Sequence, residues 1–157
     1  MRFLSPRGWA AFAWQADYGQ FYLIDGDGSN FEAPADITPE MMERSFFAPA
    51  AGLIVYTLGC LQQHIRIAIY EAEPDHAPAE PIWGKPWTRI QTTAAHFPSR
   101  KFTISSPSAP TPLPAGPIFL LDSADVTARI AWMEFQDARD DSVPVEPDVI
   151  EVTIWPR

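Results

Sequence analysis

The chain has 157 residues, of which 46% are hydrophobic, 13% aromatic and 20% charged, so it carries the apolar surface a disordered chain lacks and is expected to fold as a single domain over 1–157. Eleven Lys and Arg against twenty Asp and Glu leave a formal net charge of -9, which repels phosphate backbones at long range and argues against direct nucleic-acid binding. Asp25, Arg66, Asp122 and Glu134 interrupt the most apolar stretches, and no run approaches the roughly eighteen residues of a membrane span.

In chain order, Ser5-Pro6-Arg7-Gly8 stands where a secretory leader would need an unbroken apolar stretch, and the single cysteine, Cys60, has no internal disulfide partner. Both point to a reducing cytoplasm. Seventeen prolines separate short runs rich in β-branched and aromatic residues: Trp9 to Asp17, Gln20 to Ile24, Leu53 to Leu58, His64 to Tyr70, Trp87 to Ala94, Lys101 to Ser105, Ile118 to Leu121, Val126 to Phe135 and Val149 to Trp155. Their lengths predict strands. Alternation is clearest where Ile150, Val152 and Ile154 oppose Val149, Glu151, Thr153 and Trp155, and where the isoleucines 65, 67 and 69 oppose His64, Arg66 and Tyr70.

One helix is expected near Thr38 to Phe47. Thr38 caps it, Pro39 suits its first position, Glu40 and Glu43 complement the dipole, and Pro49 lies beyond its end. Met41, Met42, Phe46 and Phe47 form its packing face, although the aromatic pair also suits a loop plugging one mouth of a sandwich. The proline-dense stretch Ser105 to Pro117 reads as an extended crossing loop. The fold class that follows is all-β, a mainly antiparallel β-sandwich with one short helix.

No catalytic signature emerges, so a non-enzymatic chain without a cofactor is expected. His64, His76 and His96 match no paired-ligand spacing, Cys60 has no C-x-x-C partner or nearby cation, and no nucleophile elbow, phosphate loop or dinucleotide fingerprint occurs. An enzyme would need a site assembled from scattered residues such as His64, His96 and Asp122. Asp25, Asp27, Ser29 and Asp36 fall at positions one, three, five and twelve of a calcium loop, but Asn30 replaces the glycine at position six and Pro34 interrupts the loop. No metal is expected there.

The acids are unevenly placed. From Asp17 to Glu43 there are seven carboxylates and no Lys or Arg. From Asp122 to Glu151 there are nine against Arg129 and Arg139. Such blocks either solubilise a surface or steer a basic protein partner. For the second role the contact candidates are Asp137, Asp140, Asp141, Glu146 and Asp148, read as one exposed loop before the last strand. A carbohydrate- or peptide-binding module is the alternative, with Tyr18, Trp83 and Trp87 as its aromatic contacts.

Tyr18-Gly19-Gln20-Phe21 entering a strand, Ala48-Pro49-Ala50-Ala51-Gly52-Leu53-Ile54 opening another, and Leu113-Pro114-Ala115-Gly116-Pro117-Ile118 before the closing strands resemble the competence-protein J (ComJ) family, loosely from Tyr18 to Trp155. The resemblance implies an inhibitor of a DNA-entry nuclease, hence a nuclease partner. No family interface residues transfer to particular positions, and the contact candidates rest on charge and exposure alone.

Overall fold

A computed structural model describes residues 4–57, 62–75, 86–108, 117–134 and 148–157. Its elements are β1 (Gly8–Gln15), β2 (Gln20–Asp25), α1 (Pro39–Arg44), β3 (Phe46–Phe47), β4 (Gly52–Tyr56), β5 (Gln62–Ile69), β6 (Arg89–His96), β7 (Lys101–Ser105), β8 (Ile118–Leu120), β9 (Asp125–Met133) and β10 (Asp148–Pro156). Each run expected as a strand contains one, Leu58 and Phe135 at the ends of two runs lying outside the described residues, and the all-β class with one short helix holds.

The strands hydrogen-bond in the order β1-β5-β10-β9-β6-β4-β2-β7-β8, with β3 beside β4. β5 and β10 run parallel, Gln63 facing Asp148 and Ile69 facing Ile154; the other pairings are antiparallel. β4 meets β6 only where Gly52 faces His96. At that corner the sheet turns, so the two layers expected of a sandwich are halves of one sheet nearly closed into a barrel.

Alternation explains the core. Ile65 and Ile67 of β5, Ile150, Val152 and Ile154 of β10, and Ile130 and Trp132 of β9 meet Phe21, Leu23, Leu53, Val55, Phe102 and Phe119 from the other half. Burying each such side chain stabilises the fold by about 1.5–3 kcal/mol relative to exposure. Phe97, Phe102 and Phe119 stack in series, with centroids 5.0 and 4.9 Å apart. The Trp132 indole N–H donates to the Tyr56 carbonyl at 2.9 Å, which gives its polar edge a partner and ties the halves together.

The helix is shorter than expected. Thr38 Oγ1 accepts from the Met41 N–H at 3.2 Å, and Ser45, at φ 62°, ends the helix in the left-handed conformation. Phe46 and Phe47 then leave it to pair with Val55 and Ile54 as β3, because a strand buries Phe46 against the core. Six helical residues, none of them buried, would not hold alone in water. Met41 anchors them by packing on a small second cluster of Tyr22, Ile24, Ile54 and Tyr56. Burial pushes the phenols of Tyr22 and Tyr56 up from their usual range, with the Asp17 carboxylate adding to the rise at Tyr22 and Tyr22 adding to that at Tyr56.

Candidate functional site

Of the acidic contact candidates, Asp137, Asp140, Asp141 and Glu146 lie outside the described residues, as does Trp83. Asp148 corrects its expectation. It is the first residue of β10, faces Gln63 of β5 and is 3% exposed, because the strand begins one residue earlier than its apolar run and sits inside the sheet.

Tyr18 and Gly19 form a two-residue turn, with φ 52° and 66°, closed by the Gln20 N–H donating to the Asp17 carbonyl at 3.2 Å. Positive φ at both positions matches the right-handed twist of the flanking chain. The Tyr18 ring projects into solvent, 72% exposed. A left-handed tyrosine is strained by about 1–2 kcal/mol, and asparagine relieves much of that. Tyr18→Asn is therefore expected to raise stability by up to about 1 kcal/mol in urea unfolding. A binding partner lost together with that gain would mark Tyr18 as a contact.

Trp87 does not stand free. The Arg66 guanidinium lies 5.7 Å from its ring centroid, and Arg66 also donates to Glu151 at 2.6 Å. Arg129 lies 5.8 Å from the Trp155 ring. Burial pushes the Tyr70 phenol up, Glu151 adds to the rise and Arg129 opposes it. These groups occupy the face of β5, β10 and β9 opposite the core, where alternation places polar residues. The pair has side-chain exposures of 19% and 11%, so the charges are largely desolvated there. Arg66 and Glu151 are 85 positions apart in sequence, and no local signal joins them.

The scattered catalytic set does not converge. His96 pairs through Nδ1 with Asp125 Oδ1 at 2.8 Å, Asp122 pairs with Arg7, and His64 sits on β5, three strand spacings or about 14 Å from the β6 of His96. The Asp25 carboxylate is buried and accepts from the Ser99 N–H at 2.9 Å and the Ser99 hydroxyl at 2.8 Å. It pins the turn between β6 and β7. Asp27 accepts from the Ser29 N–H at 2.9 Å. Among the described residues no group of three or more His, Cys, Asp or Glu side chains is arranged to hold a metal.

Among the described residues two surfaces stand out. The first runs through α1: Asp27, Glu32, Asp36, Glu40 and Glu43 are exposed, and Arg44 pairs with Glu40 at 2.7 Å. Ile37 and Met42 stand among them, 47% and 55% exposed. Apolar side chains within a charged surround are the composition of a protein contact. The second is a cleft of about 510 Å3 between β1 and β8, where Trp9, Ile118 and Leu120 are exposed.

This arrangement of strands has solved counterparts. The structure of ComJ from Bacillus subtilis, described as the inhibitor of the DNA-degrading activity of NucA, superposes with a TM-score of 0.66 at 11% identity, over 99% of this chain and 100% of that one. The fold is ComJ-like. The product of crocagin biosynthetic gene J shares the ComJ-like fold, with a TM-score of 0.61 at 13% identity over 95% of this chain and 97% of its own. No family model and no curated protein matches the sequence. The likeness therefore lives in the strand order and not in residue identity.

Proposed function

We propose that the chain is a non-enzymatic, cytoplasmic protein-binding domain that inhibits a DNA-degrading nuclease by covering the basic surface on which the enzyme holds DNA. The observation that carries this reading is the end-to-end correspondence with ComJ, at 99% and 100% coverage. Electrostatics supports it. A DNA-cleaving surface is shaped to attract phosphates, and a chain with net charge -9 is drawn to the same field. The exposed carboxylates about α1 and the acidic stretch from Asp137 to Glu146 are the two parts that would meet it.

The test is a nuclease assay with each nuclease of the source organism, the chain being in micromolar excess. Inhibition of one enzyme is expected; full activity of all of them removes the reading. With the inhibited enzyme in hand, Asp137→Asn, Asp140→Asn and Asp141→Asn combined should slow association by about tenfold at low salt and by less than about twofold at high salt. Asp36→Asn, Glu40→Gln and Glu43→Gln combined provide the parallel measurement on the helix surface. Whichever triple keeps the parent rate at every ionic strength belongs to a solvated surface outside the contact.

A further inference from the structure

β1 and β8 end the strand order, so each has one edge without a ladder partner among the described residues. Natural edge strands are guarded by charge, proline, bulges or brevity, because bare backbone groups recruit other chains. β8 is guarded by brevity, having three residues. β1 carries none of these guards among the described residues: its eight residues, GWAAFAWQ, contain no charge and no proline. Its inward side chains Ala10, Phe12 and Trp14 are only partly buried against the core, and the outward Trp9 is 69% exposed. Across the cleft stand Ile118 and Leu120, 68% and 72% exposed. One missing strand leaves two inter-strand spacings, about 9–10 Å, a distance that an arginine and an aspartate reaching toward each other can span. Arg7 and Asp122 bridge the cleft at one end.

We propose that this seam takes one extended segment of a partner polypeptide, which adds a strand between β1 and β8 and completes the barrel. The segment is uncharged along its middle and alternates apolar side chains, set over Ala10 and Phe119, with β-branched ones that lie against Trp9, Ile118 and Leu120. Main chain is the ligand because main-chain groups are what the β1 edge leaves unpaired among the described residues. A second copy fits less well, since its edge strand would bring a whole sheet into a cleft walled by β8. The inference rests on the reading of the chain as a protein binder and not on the partner being a nuclease.

The probe is the capped peptide Lys-Val-Thr-Val-Thr-Val-Lys, titrated into the full chain, with a twin N-methylated at alternate residues as control. Amides of Gly8–Gln15 and Ile118–Leu120 are expected to exchange about tenfold more slowly in the complex, and the twin to bind at least about tenfold more weakly. Trp9→Lys with Leu120→Lys should abolish binding and leave the melting temperature unchanged, both side chains being exposed. Should that variant fail to fold, the twin still decides. The proposal is overturned by no protection of β1 at millimolar peptide, by equal binding of the twin, or by a dimer of the chain that Trp9→Lys dissolves. Peptide binding with every nuclease untouched retires the nuclease reading alone; nuclease inhibition with a silent seam retires this proposal alone.

Discussion

Glu151→Ala is expected to destabilise the fold by about 3–5 kcal/mol, the cost of leaving a desolvated guanidinium without its carboxylate. Glu151 is 9% exposed, accepts from Arg66 at 2.6 Å and lies on β10, between β5 and β9. The two side chains are 19% and 11% exposed, so water would replace the lost carboxylate only in part. The contrast lies in the double variant Arg66→Met with Glu151→Leu, which removes both charges and keeps the volume. It should recover most of the loss, because a buried ion pair contributes little net stability beyond an apolar pair of similar size. Urea unfolding of the three proteins measures both numbers. A single variant within about 1 kcal/mol of the parent would mean that the pair is solvated.

Gly52→Ala is the second large effect. A methyl group there would lie 2.5 Å from the Leu23 carbonyl oxygen and 2.8 Å from the Phe31 ring. The first neighbour is backbone and has no rotamer to move to. Since Gly52 is also where β4 meets β6, relief of the clash would shift the corner that folds the sheet over. A loss of about 3 kcal/mol is expected, which for a chain of this size lowers the melting temperature by about 6–12 °C. Gly8→Ala is the control: a methyl group there meets nothing within 4 Å, and the melting temperature should stay put.

Much of this architecture was legible in the residues, and what was not has a common cause. Alternating isoleucines at 65, 67 and 69 and the Val152 and Ile154 run announce strands, since a period of two is local. Thr38 and Pro39 announce a helix start for the same reason. Phe46 and Phe47 look helical in the sequence because nothing within a few residues shows that Val55 and Ile54 wait to pair with them. Asp148 looks like loop in the sequence because its neighbour Gln63 is one only after β10 has entered the sheet. The bond from Arg66 to Glu151, the stacking of Arg66 on Trp87 and the cleft between β1 and β8 are likewise products of strand order. That order is long-range information, and the period of one segment does not contain it.

The place of β10 also sets the timetable of folding. This strand is made after the other nine, yet it occupies the middle of its half-sheet, with β5 on one side and β9 on the other. Until Asp148–Pro156 has left the ribosome, β5 and β9 have no bridge between them, and both remain open to wrong partners. A nascent chain usually builds structure from its beginning onward, but here the barrel cannot settle until its last strand has emerged. Its assembly waits for one late insertion that joins residues more than eighty positions apart, and contacts of that span slow folding. Ribosome-bound chains halted before Asp148 should accordingly be protease-sensitive across β5 and β9, and chains long enough to expose Pro156 should lose that sensitivity.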